Sequence, residues 1–278
     1  MDLLVVTAVL AAALLHSSWH ALVKSSGDQV VALAGMNLVS GTVALALIPF
    51  VRVPDGVVLA IIAFSVLMHV GYKVALAGLY RRVDLSTAYP LARGVTPVLA
   101  TLIGFVAIGE HPGGWQALGV LAISLGITCL LFDGARMSRT AFLLAGAAGL
   151  AVALYSVIDA YAVRLNGDWL GFTAWLVASD SLVFVGYAFA TRGRGTLLAW
   201  RRGWARVLVS GLLGTVSFGV FIWALSRAPI GPVSALRETS IIFASLIGML
   251  VLREKMTAAR VTATSLVVIG AAAIALAR

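Results

Sequence analysis

Ten apolar stretches of about 20 residues follow one another along the chain with little between them, at 3–23, 29–51, 57–80, 85–108, 114–132, 140–163, 169–190, 205–226, 230–252 and 257–276. A helix of that length spans a hydrocarbon core of roughly 30 Å. Hydrophobic residues make up 61% of the chain and charged residues only 11%, with a mean hydropathy of +1.04. A soluble domain is about 45–50% apolar, so a water-soluble globule is excluded. The expected fold class is an all-α integral membrane protein of ten transmembrane helices. Leu3 to Leu15 could pass for a secretion signal, but Met1-Asp2 lacks the basic flank such a signal carries, so a retained first helix is expected. The longest polar connection, Thr191 to Arg206, reads as a loop.

The formal charge of +9 has to be read by position. Lys73, Arg93 and Arg237 fall inside spans, and Arg52, Arg164, Arg227 and Arg278 fall on the side of the termini. The other thirteen of the 20 basic residues lie on the opposite side, which the positive-inside rule makes cytoplasmic. Both termini are therefore expected outside a bacterial-type cytoplasmic (inner) membrane. No Lys/Arg stripe interleaved with aromatics argues for nucleic acid. Lone Cys129 excludes an intrachain disulfide and reads as a packing residue. His16, His20, His69 and His111 are too scattered to propose a metal, and there is no P-loop and no Ser/His/Asp pattern, so neither enzyme chemistry nor a cofactor is expected.

Sliding the halves past each other by 237 − 93 = 144 positions places Arg93 on Arg237, Glu110 on Glu254, Ile103-Gly104 on Ile247-Gly248 and Gly126 on Gly270. Five spans per half is an odd number, so the second copy enters the membrane from the opposite side. The expectation is two inverted five-helix repeats, at 1–134 and 138–278, an architecture of many secondary transporters.

Three acidic residues, Asp159, Asp180 and Glu238, also fall within spans, so the intramembrane charge sums to zero. Each charge facing lipid costs about 2.5–3.5 kcal/mol even on the most lenient scale, so all six are expected to face the interior. Arg93 lies about ten residues, or roughly 15 Å, from its helix start, too deep to snorkel easily. Tyr89 shares its face one turn away, and Pro90 and Pro97 bend that helix and free backbone acceptors. His16 and His20 share a face of the first helix, as do Tyr155 and Asp159 on the sixth and His69, Tyr72 and Lys73 on the third. Arg93 and Arg237 can form an anion site, or can be neutralised by Asp159 or Glu238 to hold the bundle. Asp159 and Glu238 are candidate proton sites, and Asp180 is expected as a structural partner. Gly104 and Gly248 are expected to permit close helix approach, and Trp19, Trp115, Trp169 and Trp204 to anchor span ends at the interface.

These motifs, His16-Ser-Ser-Trp-His-Ala-Leu-Val-Lys24, Asp84 to Gly94 with Tyr89-Pro-Leu-Ala-Arg93, Tyr155-Ser-Val-Ile-Asp159, Ala235-Leu-Arg-Glu-Thr-Ser240, Gly109-Glu110 and Arg253-Glu254, resemble those of the drug/metabolite transporter superfamily. The resemblance is to ten-helix members with two EamA-type domains and covers essentially the whole chain. It implies a central cavity lined by helices one, three, four, six, eight and nine, with helices five and ten packing, and His20 standing where many relatives have Asn. It also implies a secondary transporter for a small polar or zwitterionic metabolite, with arginines meeting an acidic group, aromatics the carbon skeleton, and a carboxylate taking a proton or amine. Membrane lipids are the other expected partner. The rival reading is a lipid or headgroup flippase, or an intramembrane scaffold.

Overall fold

The computed structural model describes residues 1–82, 93–94, 96–129, 138–243 and 257–277. Its described elements are all helical: α1 (Leu3–Lys24), α2 (Gln29–Leu47), α3 (Gly56–Tyr80), α4 (Thr96–Ile108), α5 (Gly114–Cys129), α6 (Arg139–Asn166), α7 (Trp169–Arg192), α8 (Gly195–Arg202), α9 (Trp204–Leu225), α10 (Ile230–Arg237) and α11 (Ala258–Leu276). Six of them, α1, α2, α3, α6, α7 and α9, are long and apolar enough to cross a membrane, and α4, α5 and the Val261–Leu276 part of α11 are shorter apolar helices. The chain is an integral membrane protein.

Acidic residues that the sequence scatters between spans start the helices. Asp2, Asp28, Asp55 and Asp168 each accept a hydrogen bond from a backbone N–H of the first turn of α1, α2, α3 and α7, and Ser138 does the same for α6. Those N–H groups have no partner inside the helix, so a side-chain acceptor there fixes where it begins. Gly167 ends α6 at φ 71°, a left-handed conformation open to glycine without strain.

The bundle turns its large apolar side chains outward and its small and polar ones inward. Phe64, Leu67, Val106, Leu182 and Leu276 are exposed, while Ala13, Ala145, Ala148, Ala153, Ser65 and Ser156 are buried. Lipid tails are as apolar as leucine, so close backbone approach and polar contacts bind these helices to one another. The tightest approach of backbone to backbone among the described glycines joins α5 to α11, where a Cβ on Gly119 would lie 2.6 Å from the Gly270 carbonyl oxygen and a Cβ on Gly270 2.6 Å from that of Gly119. Gly126 approaches the Ala263 carbonyl in the same interface. The expected Gly104 contact is ordinary instead: a Cβ there would meet Glu110 and Ile230 at 3.6 Å, and Gly248 lies outside the described residues.

Across the halves, α2 packs on α7, α4 on α10, α5 on α11, α3 on α6 and α1 on α9. Polar ties mark the two ends of the bundle. At one, the Met1 amino group donates to the Ala277 carbonyl at 2.9 Å. At the other, Lys24 donates to the Tyr80 carbonyl at 3.1 Å, and Asp28 accepts from Arg192 at 2.6 Å and Arg81 at 3.5 Å. The Thr191–Arg206 stretch is not a plain loop. It contains α8, which buries Thr196 and Trp200, exposes Leu197 and Leu198, and is tied to α2 by the Trp200 indole donating to the Val31 carbonyl at 2.9 Å.

The ninth expected span, 230–252, does not run as one unbroken helix. α10 stops at Arg237, Glu238 and Thr239 form a turn, and helical geometry resumes at Ser240. Backbone bonds tighten to three-residue steps there, from the N–H groups of Glu238, Thr239, Ile241 and Ile242 to the carbonyls of Ala235, Leu236, Glu238 and Thr239. Such a tightening inside a helix often marks a hinge.

Candidate functional site

Every intramembrane charge singled out in the sequence is buried: Lys73, Arg93, Arg237, Asp159, Asp180 and Glu238 are each at most 7% exposed. What the sequence leaves open is which cation meets which carboxylate, and the structure decides it unevenly.

Arg93 is committed. Its NH1 donates to Glu238 Oε1 at 2.7 Å, while NH2 reaches His16 Nε2 at 2.9 Å and the Tyr72 hydroxyl at 3.2 Å. These contacts set the histidine tautomers of α1. Because His16 Nε2 accepts from Arg93, the His20 Nε2 that lies 3.1 Å from it donates, and His20 Nδ1 then accepts from the Tyr80 hydroxyl at 2.9 Å. Trp19 stacks on His20 at 3.6 Å and is 6% exposed, so it is an interior residue and not an interfacial anchor, whereas Trp115 and Trp204 are on the surface.

Lys73 is also committed. Its ammonium donates to Asp180 and, at 2.8 Å, to the Asn37 amide oxygen, bringing α2, α3 and α7 together. Its Nζ sits 5.0 Å from the centre of the Phe184 ring, a further favourable placement for a cation. Asp180 keeps its other oxygen without a partner.

Arg237 has no carboxylate in salt-bridge contact among the described residues. It stacks 4.1 Å from the centre of the Phe221 ring, donates to the Tyr155 hydroxyl at 3.5 Å, and its buried Nε has no hydrogen-bond partner. Asp159, completely buried, is held by neutral groups: the Ser65 hydroxyl donates to Oδ1 at 2.5 Å, and Oδ2 faces His69 Nε2 at 3.6 Å with no other partner. The His69 ring stacks on Tyr155 at 4.0 Å.

A cavity of about 80 Å³ opens between these groups. His16 and Trp19 of α1, Asn37 and Ser40 of α2, His69, Tyr72 and Lys73 of α3, Tyr155 of α6, Asp180 of α7, Thr215 and Phe218 of α9 and Arg237 of α10 line it. Of the residues expected to bind substrate, Arg237, His69, Tyr72 and Tyr155 therefore share one wall. His20 and Arg93 do not reach the cavity, nor do Asp159 and Glu238; they stand behind it. Tyr89 and Pro90 lie outside the described residues. The lining extends beyond the expected set, since α2 and α7 contribute; among the described residues of the fourth span none lines it, and 85–92 lie outside them. Asp180 is both a structural partner and part of the wall. Asn37 was missed because only ionisable groups were sought; an amide inside an apolar span is the same kind of signal. Ser65, one turn before His69, was recoverable by the same spacing, whereas nothing in the sequence singles out Phe221 or Phe218.

A second, larger groove of about 710 Å³ lies on the outer surface between α3, α4 and α6, lined by Val57, Phe64, Ile108, Val157 and Tyr161 among others. Among the described residues it carries no charged side chain, which suits lipid chains better than a polar solute. Among the described residues no cluster of three or more His, Cys, Asp or Glu could hold a metal ion.

A polytopic helical membrane protein with charged groups gathered on an internal cavity has the form of a solute transporter. Residues 139–276 form a domain of the EamA-like transporter family, and the family is one of transporters and not of enzymes. A solved structure, titled only as the crystal structure of a protein, matches with a TM-score of 0.79 at 17% identity, covering 98% of each chain. That likeness concerns the fold. No curated protein matches the sequence.

Proposed function

We propose that the protein is a secondary transporter that moves a small polar or zwitterionic metabolite bearing an anionic group across a bacterial-type inner membrane by alternating access, with proton coupling and with both termini outside. The observation that carries this reading is Arg237: a buried guanidinium on the cavity wall, with no carboxylate in contact among the described residues and a donor left unused. A lone buried cation is costly, and a carboxylate or phosphonate entering the cavity supplies the counter-ion and the missing acceptor. Tyr72, Tyr155 and Phe218 offer aromatic surface to the rest of the solute. Arg93, the other expected anion ligand, has its charge met by Glu238.

Two features support inverted repeats at 1–134 and 138–278. Lys24, at the end of the first helix of its half, donates to the carbonyl of Tyr80 at the end of the third; Arg164, at the end of α6, donates to the carbonyl of Leu225 at the end of α9. The packing of α3 on α6 likewise has its counterpart in α9 on α1. Arg164 also holds Glu110 at 2.5 Å, and Glu110 accepts from the Ile230 N–H at 2.7 Å, so one carboxylate ties the end of α4 to α6 and to the start of α10.

The test is a thermal-shift screen of anionic, zwitterionic and cationic metabolites on detergent-solubilised protein. Ligands that bind only the folded state stabilise it by about 2.7 kcal/mol at a hundred times their Kd. Anionic or zwitterionic solutes are expected to raise the midpoint of the wild type, and Arg237→Ala and Arg237→Lys to lose that response, since an ammonium does not reproduce the planar fork. A folded Arg237→Ala protein that keeps the full response refutes the assignment.

A further inference from the structure

We propose that the His69–Asp159 dyad takes up one proton each time a monoanion binds Arg237, so that solute and proton cross the membrane together without net movement of charge. This rests on the reading of Arg237 above and adds the coupling group, the charge of the solute and the stoichiometry.

Among the described residues the buried charges are three cations and three carboxylates, and two of the pairs are closed: Arg93 with Glu238 and Lys73 with Asp180. The remaining two charges are not in contact. Tyr155 stands between them, its hydroxyl taken by Arg237 and its ring covered by His69, while Asp159 sits one helical turn further along α6. With Asp159 ionised the interior is neutral and has no place for an anion. A monoanion alone leaves it at −1 and a proton alone at +1; both together leave it neutral. An uncompensated charge in the membrane interior is expensive, so the two bind together.

The dyad's hydrogen bonds show where the proton goes. Ser65 Oγ gives its hydrogen to Asp159 Oδ1, so it accepts from His69 Nδ1, 3.2 Å away; the Ser65 carbonyl accepts from the same nitrogen at 3.1 Å. His69 therefore carries its hydrogen on Nδ1 and presents a lone pair at Nε2. That lone pair faces Asp159 Oδ2 at 3.6 Å, and both atoms are buried without another partner. One proton between them satisfies both, and it belongs to the pair and not to either residue. His69 lines the cavity, which gives the proton its route from water.

The charged and titratable surroundings of Asp159 come from every helix packed on α6. Among the described residues, α3 presents Ser65 and His69, with Tyr72 and Lys73 beyond; α7 presents Asp180, paired with Lys73; α10 presents Arg237; Arg93, three residues before α4, is paired with Glu238; and α9 presents Phe218, which is uncharged. Arg237 is the one charge among these with no carboxylate or cation of its own in contact.

Benzenesulfonate is a suitable probe because it stays anionic at any working pH and brings no proton of its own. Its affinity for the wild type, measured by calorimetry in detergent, is expected to fall about tenfold per pH unit on the alkaline limb, as linkage to one proton requires. Asp159→Asn, which can donate to His69 and accept from Ser65, is expected to bind independently of pH with the affinity of the wild type's acid limb. In proteoliposomes an acid-outside gradient should drive wild-type uptake while an imposed potential leaves it unchanged, and Asp159→Asn should keep exchange but lose the response to the gradient. His69→Gln provides a second variant and should displace the pH at which the slope begins. Equal wild-type binding at every pH, or a slope that survives in Asp159→Asn, overturns the dyad and leaves the Arg237 site standing. No binding of benzenesulfonate by the wild type at any pH removes the anion site itself, and this proposal with it.

Discussion

The Arg93–Glu238 pair makes a quantitative prediction, because it joins two groups that are each 1% exposed at 2.7 Å. Glu238→Met takes from Arg93 the carboxylate that meets its charge, and Arg93→Met leaves a buried carboxylate with no other cation in contact among the described residues. Breaking a buried ion pair from one side costs about 3–5 kcal/mol, most of it the burden of the charge left behind. At about 2–4 °C per kcal/mol, each single variant should lose roughly 6–20 °C in thermal midpoint. The double variant Arg93→Met/Glu238→Met leaves no uncompensated charge and replaces both side chains with apolar ones that fill much of the space. It is expected to recover most of that loss, giving a coupling energy of about 4 kcal/mol or more, above the usual range for neighbouring pairs. The assay is thermal unfolding in detergent for the four proteins, with purified yield as a second reading and the response to anionic solute as a third. A double variant whose loss equals the sum of the two singles refutes the pairing. Loss of the anion response in a stable double variant would show that Arg93 itself touches solute.

Two further predictions follow from the packing and from the loop charges. Gly119→Ala or Gly270→Ala places a methyl 2.6 Å from a backbone carbonyl that cannot step aside, so α5 and α11 must separate at a cost of about 1–3 kcal/mol; Gly146→Ala, with nothing within 4 Å, should be neutral or slightly stabilising by the same thermal measurement. At the end of the bundle, burial alone would raise the Asp28 carboxyl, but the hydrogen bonds and charge of Arg192, with the N–H groups of Val31 and Val30, outweigh it and hold the group below its ordinary value. A lowered folded-state value means the contribution is fully present above the unfolded carboxylate value of about 3.9 and is lost as pH falls through the lower folded value. The midpoint difference between wild type and Asp28→Asn should therefore stay constant from weakly acidic to neutral pH and close only below about pH 4; a difference that disappears near neutrality would contradict it.

The six long spans were legible because crossing a membrane demands about 20 apolar residues whatever the fold, and breaks such as Gly167-Asp168 end one helix and cap the next. The inward faces were not legible in the same way. A soluble helix marks its buried side by an apolar stripe, but here lipid is as apolar as the core, so α3 exposes Phe64 and Leu67 while burying Ser65 and His69. Small residues and polar atoms are the marks that remain, and the candidates found by them are interior. Trp19 misled because a tryptophan near a span end is usually an anchor, whereas this one lies against His20. The α5–α11 contact misled similarly: the halves align Gly104 with Gly248, but the closest approach falls to Gly119 and Gly270, which that alignment does not pair.

What composition could not disclose is how the three cations and three carboxylates divide. The sum of zero was readable, and so was the rule that each charge must face inward, but neither fixes the pairing. Arg237 and Glu238 are neighbours in the chain and point about 100° apart on a helix, so only one of them can meet a given partner easily. At the turn of Glu238 and Thr239 the carboxylate meets Arg93, and the guanidinium of Arg237 stays on the cavity wall. The local break at the end of α10 falls between two charges that their adjacent positions already point apart, and this parting leaves Arg237 available on the cavity wall. A change that straightens the segment would be expected to act on solute binding without touching either charge. Thr239→Leu removes the hydroxyl that donates to the Leu236 carbonyl at 2.7 Å within this turn, so it tests that link: weaker anion binding with Arg93 and Glu238 still coupled would tie the break to the site, and unchanged binding would make the turn a packing feature alone.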